Sequence, residues 1–184
     1  MPDVFVVLEQ DHRKVQGLLT EIEGAPPGSQ LKGLVETLII EESKHEAVEE
    51  AHFWPLVQDK VKGGQELTEK ALNQESEGKE VLGQLEKLSP SDAKFMELVS
   101  TFAGAAREHI AYEEEQVWPR LRSVLTKPER EDLGEKLANA KLHAPTRPHP
   151  NTPSSPVAQK MMGPAAAATD KVRDTLSGRN NAQP

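Results

Sequence analysis

His45, Glu49 and His52 stand at positions i, i+4 and i+7 of the stretch HEAVEEAHFWP, and His109 and Glu113 open the stretch HIAYEEEQVWP. Both stretches begin with His, carry Glu four residues on and close with Trp-Pro, and His109 lies 64 residues beyond His45. An α-helix turns about 100° per residue, so positions i, i+4 and i+7 share a face. Each stretch therefore aligns an imidazole with a carboxylate one turn away. The chain has no cysteine. Any metal must be held by nitrogen and oxygen, a donor set that suits iron or manganese and also takes zinc.

The faces that carry these groups are otherwise apolar. On one helical segment Leu31, Leu34 and Leu38 lead to His45, Glu49 and His52, and then to Leu56. On another, Phe95, Leu98 and Phe102 lead to His109 and Glu113, with Tyr112 at the edge. Near the N-terminus Phe5, Leu8, Val15 and Leu19 flank His12. Three apolar stripes thus converge on polar groups. An uncompensated buried carboxylate costs several kcal/mol or more. A domain stable by about 5–15 kcal/mol does not carry several of them idly. A divalent or trivalent cation neutralises them better than imidazolium, which is itself desolvated. Two carboxylates on separate helices can bridge two metals.

The repeat extends the set. Advancing His12 by the same spacing lands beside Glu75, on a face with Ala71, Gly78 and Leu82. Glu75 is the expected counterpart of His12. Lys79, one turn on, is expected to pair with Glu75 or to donate a hydrogen bond to a bound ligand. Gln116 stands where His52 would need its counterpart, so the expected site is asymmetric. Tyr112 is expected to pack or to donate a hydrogen bond from outside the ligand set. Trp54 and Trp118 are expected to pack where their helices are interrupted, and the tail residues His143 and His149 receive no role.

Four helical segments must position these groups. The first spans about 3–23 and ends at GAPPG; the second starts near Ser29 and continues to about Val61, with Pro55 interrupting it. The third covers about 65–88; the fourth opens at SPSD, with Ser89 or Ser91 as cap, and reaches about Leu125 past Pro119. Short connections make successive helices antiparallel neighbours. The expected fold is all-α: an up-down-up-down four-helix bundle over 1–127, a short fifth helix over 128–142 and a Pro/Ala-rich tail over 143–184. The tail reads as largely extended or disordered, with a short helix near 163–177.

Composition narrows the function. The net charge is −8 and no dense basic patch is present, which argues against nucleic-acid binding. VFVVL is too short for a membrane span and lacks the basic flank of a signal peptide, so a cytoplasmic protein without a membrane partner is expected.

These residues resemble the hemerythrin family, specifically the bacterial HHE cation-binding proteins, over about residues 3–125. His12 in EQDHRKV looks like the helix-one ligand of that family, His45 and Glu49 like its helix-two His and bridging carboxylate, and His109 and Glu113 like its helix-four pair. The resemblance implies a four-helix bundle around two non-heme iron ions, oxo- or hydroxo-bridged. It also implies small ligands: O2, peroxide or NO. Oxygen carriers of the family place a His-x-x-x-His pair on helix three, where this chain has Glu75 and Lys79. More carboxylate favours the ferric state, which shifts the expectation from O2 carriage to peroxide or nitric oxide chemistry, or to sensing. The HxxxExxH pattern resembles that of the actinobacterial hemerythrin-like proteins, which would make His52 a compensating ligand. Glu46 is a further candidate by the same resemblance, ranked lower because it lies about 100° off the stripe. A polar core without metal is the bland alternative.

Overall fold

The structure is a computed structural model that describes residues 2–149 and 156–177, and all its regular secondary structure is helical. Helix α1 covers Val4–Gly24, capped by Asp3, whose carboxylate accepts the Phe5 N–H at 3.0 Å. Helix α2 covers Ser29–Val48 and passes through a π turn, Glu49–Phe53, into α3, Trp54–Lys60. Helix α4 covers Gly64–Leu85. Helix α5, Phe95–Tyr112, passes through a second π turn, Glu113–Val117, into α6, Trp118–Val124. Helix α7, Lys127–Lys141, lies against α1 and α2 and begins with a full capping box between Thr126 and Glu129.

The interruptions differ in kind from a proline kink. Pro55 and Pro119 lack an N–H, and their rings crowd the carbonyl one turn back. In both places the preceding turn widens, so the Trp54 N–H bonds the Glu49 carbonyl and the Trp118 N–H bonds that of Glu113. Each widened turn begins at a carboxylate of the repeat. π turns inside α-helices occur often at functional sites. The fourth helix starts later than the serines suggest. Ser89 donates its N–H to Asp92 at 2.6 Å, so SPSD closes a turn and α5 begins at Phe95.

The apolar core is split. One cluster holds Phe5, Leu8, Trp54, Trp118, Leu121 and Leu137; the other holds Val15, Leu19, Leu38, Leu82, Phe95 and Phe102. Between them lies the polar layer, as the stripes require: His12 stands between Leu8 of one cluster and Val15 of the other. Leu34 and Leu98 are only partly buried, and Val35 and Val99 fill the positions beside them.

Helix α7 approaches the start of the chain so closely that a Cβ at Gly134 would stand 2.2 Å from the Pro2 carbonyl oxygen. Gly134→Ala should therefore destabilise by about 1–3 kcal/mol through forced backbone displacement. Gly17, exposed within α1 with nothing near its Cβ position, should respond oppositely: Gly17→Ala should stabilise by about 0.5–1 kcal/mol. Thermal melts of the two variants check both signs.

The helix expected near 163–177 runs from Pro156 to Ser177 as α8, and it packs against the first π turn. Asp170 holds it. Its buried carboxylate accepts the N–H groups of Thr146 and Arg147, each at 3.1 Å, and faces His149 Nε2 at 3.0 Å. Asp174 takes the Thr146 hydroxyl at 2.5 Å and Arg147 at 2.6 Å, while Arg147 also reaches Glu86. His149 is thus part of a clasp rather than a bystander. The remainder of the expected extended tail, 150–155 and 178–184, lies outside the described residues. Among the described residues no helix is long and apolar enough to cross a membrane.

Candidate metal centre

Four layers of the bundle deliver the polar groups: His12 from α1, His45 and Glu49 from α2 and its π turn, Glu75 from α4, His109 and Glu113 from α5 and its π turn. Ligand-capable atoms of His12, His45, Glu49 and Glu113 all lie within 4.8 Å of one another, and so do those of Glu49, Glu75 and His109. Glu49 belongs to both groups. Glu113 also faces both ways: Oε2 is 3.0 Å from His12 Nε2, and Oε1 is 3.3 Å from His109 Nε2. His45 Nε2 is 3.2 Å from Glu49 Oε2, and His109 Nε2 is 4.0 Å from Glu75 Oε1.

Neither oxygen of Glu49 or Glu113 has a hydrogen-bond partner, nor do His12 Nε2, His109 Nε2 and Glu75 Oε2. Glu49 and Glu113 are 0% exposed. Each unsatisfied buried polar atom costs about 1–3 kcal/mol. Their convergence on two adjacent points fits cations held by oxygen and imidazole nitrogen.

Electrostatics agree. Burial, with Glu113 and Glu75 nearby, pushes the Glu49 carboxyl well above the usual range. Burial raises Glu75 too, against Lys79, with Glu50 and Glu46 adding to it. Burial opposes ionisation of Glu113, but His109 and His12 overcome it and hold its carboxyl well below that range. Burial would lower His12, yet Glu113 and Glu114 raise it. His45 is lowered by burial, which its contact with Asp11 only partly offsets. A cation needs deprotonated ligands. Raised carboxyls in the metal-free protein mean that loading displaces protons, so apparent affinity should rise with pH and fall as pH drops. Titration calorimetry in buffers of different ionisation enthalpy should record this release.

The remaining candidates fall around this core. Lys79 Nζ contacts Glu50 and stands 3.8 Å from Glu46 Oε2 and 3.9 Å from Glu75 Oε2. Burial works against its charge, but Glu46, Glu75 and Glu50 hold it above the usual lysine value. Burial pushes Glu46, outside both ligand groups, up to about 7. His52 sits half-buried in the first π turn and joins neither group. Gln116, at the corresponding place, is exposed. Tyr112 donates its hydroxyl to the Leu67 carbonyl at 3.1 Å, away from the cluster. The tryptophans do more than pack at the interruptions: Trp54 Nε1 donates to Glu75, and the Trp118 ring stacks on His12 with centroids 5.1 Å apart.

Three residues that the helical faces did not mark stand behind the histidines. Glu114 is 2.8 Å from His12 Nδ1, Asp11 is 3.5 Å from His45 Nδ1, and Gln74 Oε1 is 3.1 Å from His109 Nδ1. Asp11 and Glu114 adjoin His12 and Glu113 in sequence but serve histidines on neighbouring helices, which no periodicity within one helix reveals. Glu42 and Glu50 were also missed; they continue the row of Glu46 at four-residue spacing and are buried. A cleft lined by Glu42, Glu46, Gln74 and Phe102 reaches His12, His45, Glu75 and His109.

Comparison with known proteins places this geometry. The chain is 25% identical to an uncharacterized hemerythrin-like protein of Schizosaccharomyces pombe, over 91% of this chain and 83% of that protein. It is 25% identical to a DNA nickase of Nostoc sp. over 73% of this chain and 38% of that protein. A crystal structure of a hemerythrin HHE cation-binding domain-containing protein from Mycobacterium kansasii superposes with a TM-score of 0.69 at 24% identity. That alignment covers 77% of this chain and 86% of the other. The sequence model of the hemerythrin HHE cation-binding domain matches residues 3–139, and it is to this family that the chain belongs.

Proposed function

We propose that the centre holds two non-heme iron ions and acts on a small ligand, with redox chemistry on peroxide or nitric oxide ahead of reversible O2 binding. The observation that carries this is the pair of carboxylates facing both ways. Glu49 belongs to both ligand groups, and Glu113 turns one oxygen to His12 and the other to His109.

In this reading Glu49 and Glu113 would be shared between the two ions, His12 and His45 would hold one, and Glu75 and His109 would hold the other. His52 is assigned to neither. Bound iron would supply electron transfer and Lewis acidity toward the small ligand. The chain's own residues do the rest. Trp54 fixes one oxygen of Glu75 and Lys79 approaches the other. The cleft past Glu46 and Phe102 limits entry to small molecules. Lys79 works as a fixed countercharge to three carboxylates. Tyr112 donates its hydroxyl to the Leu67 carbonyl, away from the ligand groups.

Full-length protein without a histidine tag, produced in iron-supplemented medium, should carry two irons per chain by elemental analysis. It should also consume peroxide or nitric oxide faster than the same concentration of free iron. No stoichiometric metal would overturn the reading. Two irons without turnover would favour the alternative, a sensing or iron-binding module. The packing of α8 on the first π turn, which begins at Glu49, supports that alternative, because it ties the tail to the ligand-bearing segment. A tail deletion that keeps its metal but abolishes a cellular response would establish it.

A further inference from the structure

The three clustered histidines turn Nε2 inward, toward Glu113, Glu49 and again Glu113. Their Nδ1 atoms face outward: those of His12 and His109 meet an oxygen at 2.8 and 3.1 Å, and that of His45 faces Asp11 at 3.5 Å without a hydrogen bond. With an acceptor at Nδ1, the ring keeps its proton there and offers the Nε2 lone pair to the cluster.

These acceptors differ in charge. Glu114, behind His12, is gripped by Arg13 through contacts of 2.8 and 2.7 Å. Asp11, facing His45, is paired with Lys141 at 2.5 Å. Both are ion-paired carboxylates. Gln74, behind His109, is a neutral amide; its Nε2 donates to exposed Glu108 at 3.5 Å, which leaves Oε1 for the ring. A carboxylate draws harder on the imidazole N–H than an amide oxygen does, which raises the basicity of the inward nitrogen. A more basic nitrogen favours ferric over ferrous iron.

We propose that Gln74 is a positioning residue that sets the reduction potential of the ion on the Glu75–His109 side, by giving His109 a neutral partner where His12 and His45 have carboxylates. This rests on the di-iron reading above. It makes the two ions electronically distinct through outer partners as well as through their ligands. Gln74 itself lines the cleft, together with Glu75 and His109 on its own side and His12 and His45 on the other.

Redox titration of the full-length iron-loaded protein, followed by visible absorbance and electron paramagnetic resonance, tests this. Gln74→Glu is expected to lower one ferric/ferrous couple by at least tenfold in the ratio, about 59 mV for one electron, and to move the other much less. Glu114→Gln is expected to raise the other couple. Glu108→Gln changes the charge beside Gln74 without touching the ring and should leave both couples near their starting values. A second readout covers a Gln74→Glu chain that does not fold: Gln74→Leu should weaken Zn(II) binding by about 10–100-fold, measured by competition with a chelator. Couples unmoved in a two-iron Gln74→Glu protein would overturn the inference, as would an equal shift from Glu108→Gln or unchanged Zn(II) affinity in Gln74→Leu. A wild-type chain without stoichiometric iron would remove the di-iron reading and this inference with it. Two irons with potentials indifferent to Gln74 would remove this inference alone.

Discussion

Glu113→Ala is expected to empty both proposed metal positions, leaving well under one iron per chain where the di-iron reading expects two in the wild type. The reason is its placement. Its two oxygens face His12 and His109, which belong to different ligand groups, so truncation would take a ligand from each ion of the proposed pair. His109→Ala removes a ligand from one group only and should leave about one ion per chain. Elemental analysis of the two variants side by side decides it. Equal, partial losses would mean that Glu113 serves a single ion. Stability should move the other way in the metal-free state. Glu49→Gln, at the carboxylate common to both ligand groups, replaces a buried carboxyl whose charge the interior disfavours with a neutral amide of the same shape, so the metal-free variant should melt no lower than metal-free wild type. In the presence of metal the order should reverse, because binding to the folded state adds stability that the variant cannot gain.

Lys79→Met should cost about 3–5 kcal/mol, the largest stability loss expected from one substitution here. Lys79 is the buried cation among Glu46, Glu50 and Glu75, and its removal strands their charge in the interior. For a chain of this size that corresponds to a fall in melting temperature of roughly 6–20 °C. Adding Glu50→Gln should recover a good part of the loss, because the ammonium and this carboxylate are in direct contact. A thermal melt of the single and double variants measures the coupling. Strict additivity of the two losses would contradict the countercharge role. So would a Lys79→Met protein that keeps wild-type stability and metal but loses turnover, since that pattern belongs to a residue acting on the ligand itself.

Much of the site was legible before any coordinates. The greasy-polar-greasy pattern on three helices marked His12, His45, Glu49, His109 and Glu113, and the repeat spacing led from His12 to Glu75. Their common burial was readable because a helix rotates by a constant angle per residue, so a face can be read from spacing alone. Burial followed from the neighbours: groups set between Leu8 and Val15, or following Leu38 and Phe102, are carried inside with them. The family resemblance rests on the same residues and was matched over most of the chain.

Other features depended on how helices meet. Proline positions showed where α2 and α5 break, but the break takes the form of a π turn because a wider turn accommodates the missing N–H while the bundle stays continuous. Asp11, Gln74 and Glu114 gained their roles from the rotation of one helix against another, a quantity that packing chooses and local spacing does not contain. Tyr112 and Lys79 looked alike as donors near the site. Packing turned one toward Leu67 and set the other among Glu46, Glu50 and Glu75. The tail is the clearest case. Its prolines suggested an extended chain around a short helix near 163–177, yet that helix starts at Pro156, and its Asp170 and Asp174 lie buried because Thr146, Arg147 and His149 meet them. Spacing along a helix decided which side chains would be buried together, since backbone geometry is local. Which atoms of those side chains face one another was decided by the tertiary structure, since that depends on registers between segments far apart in sequence.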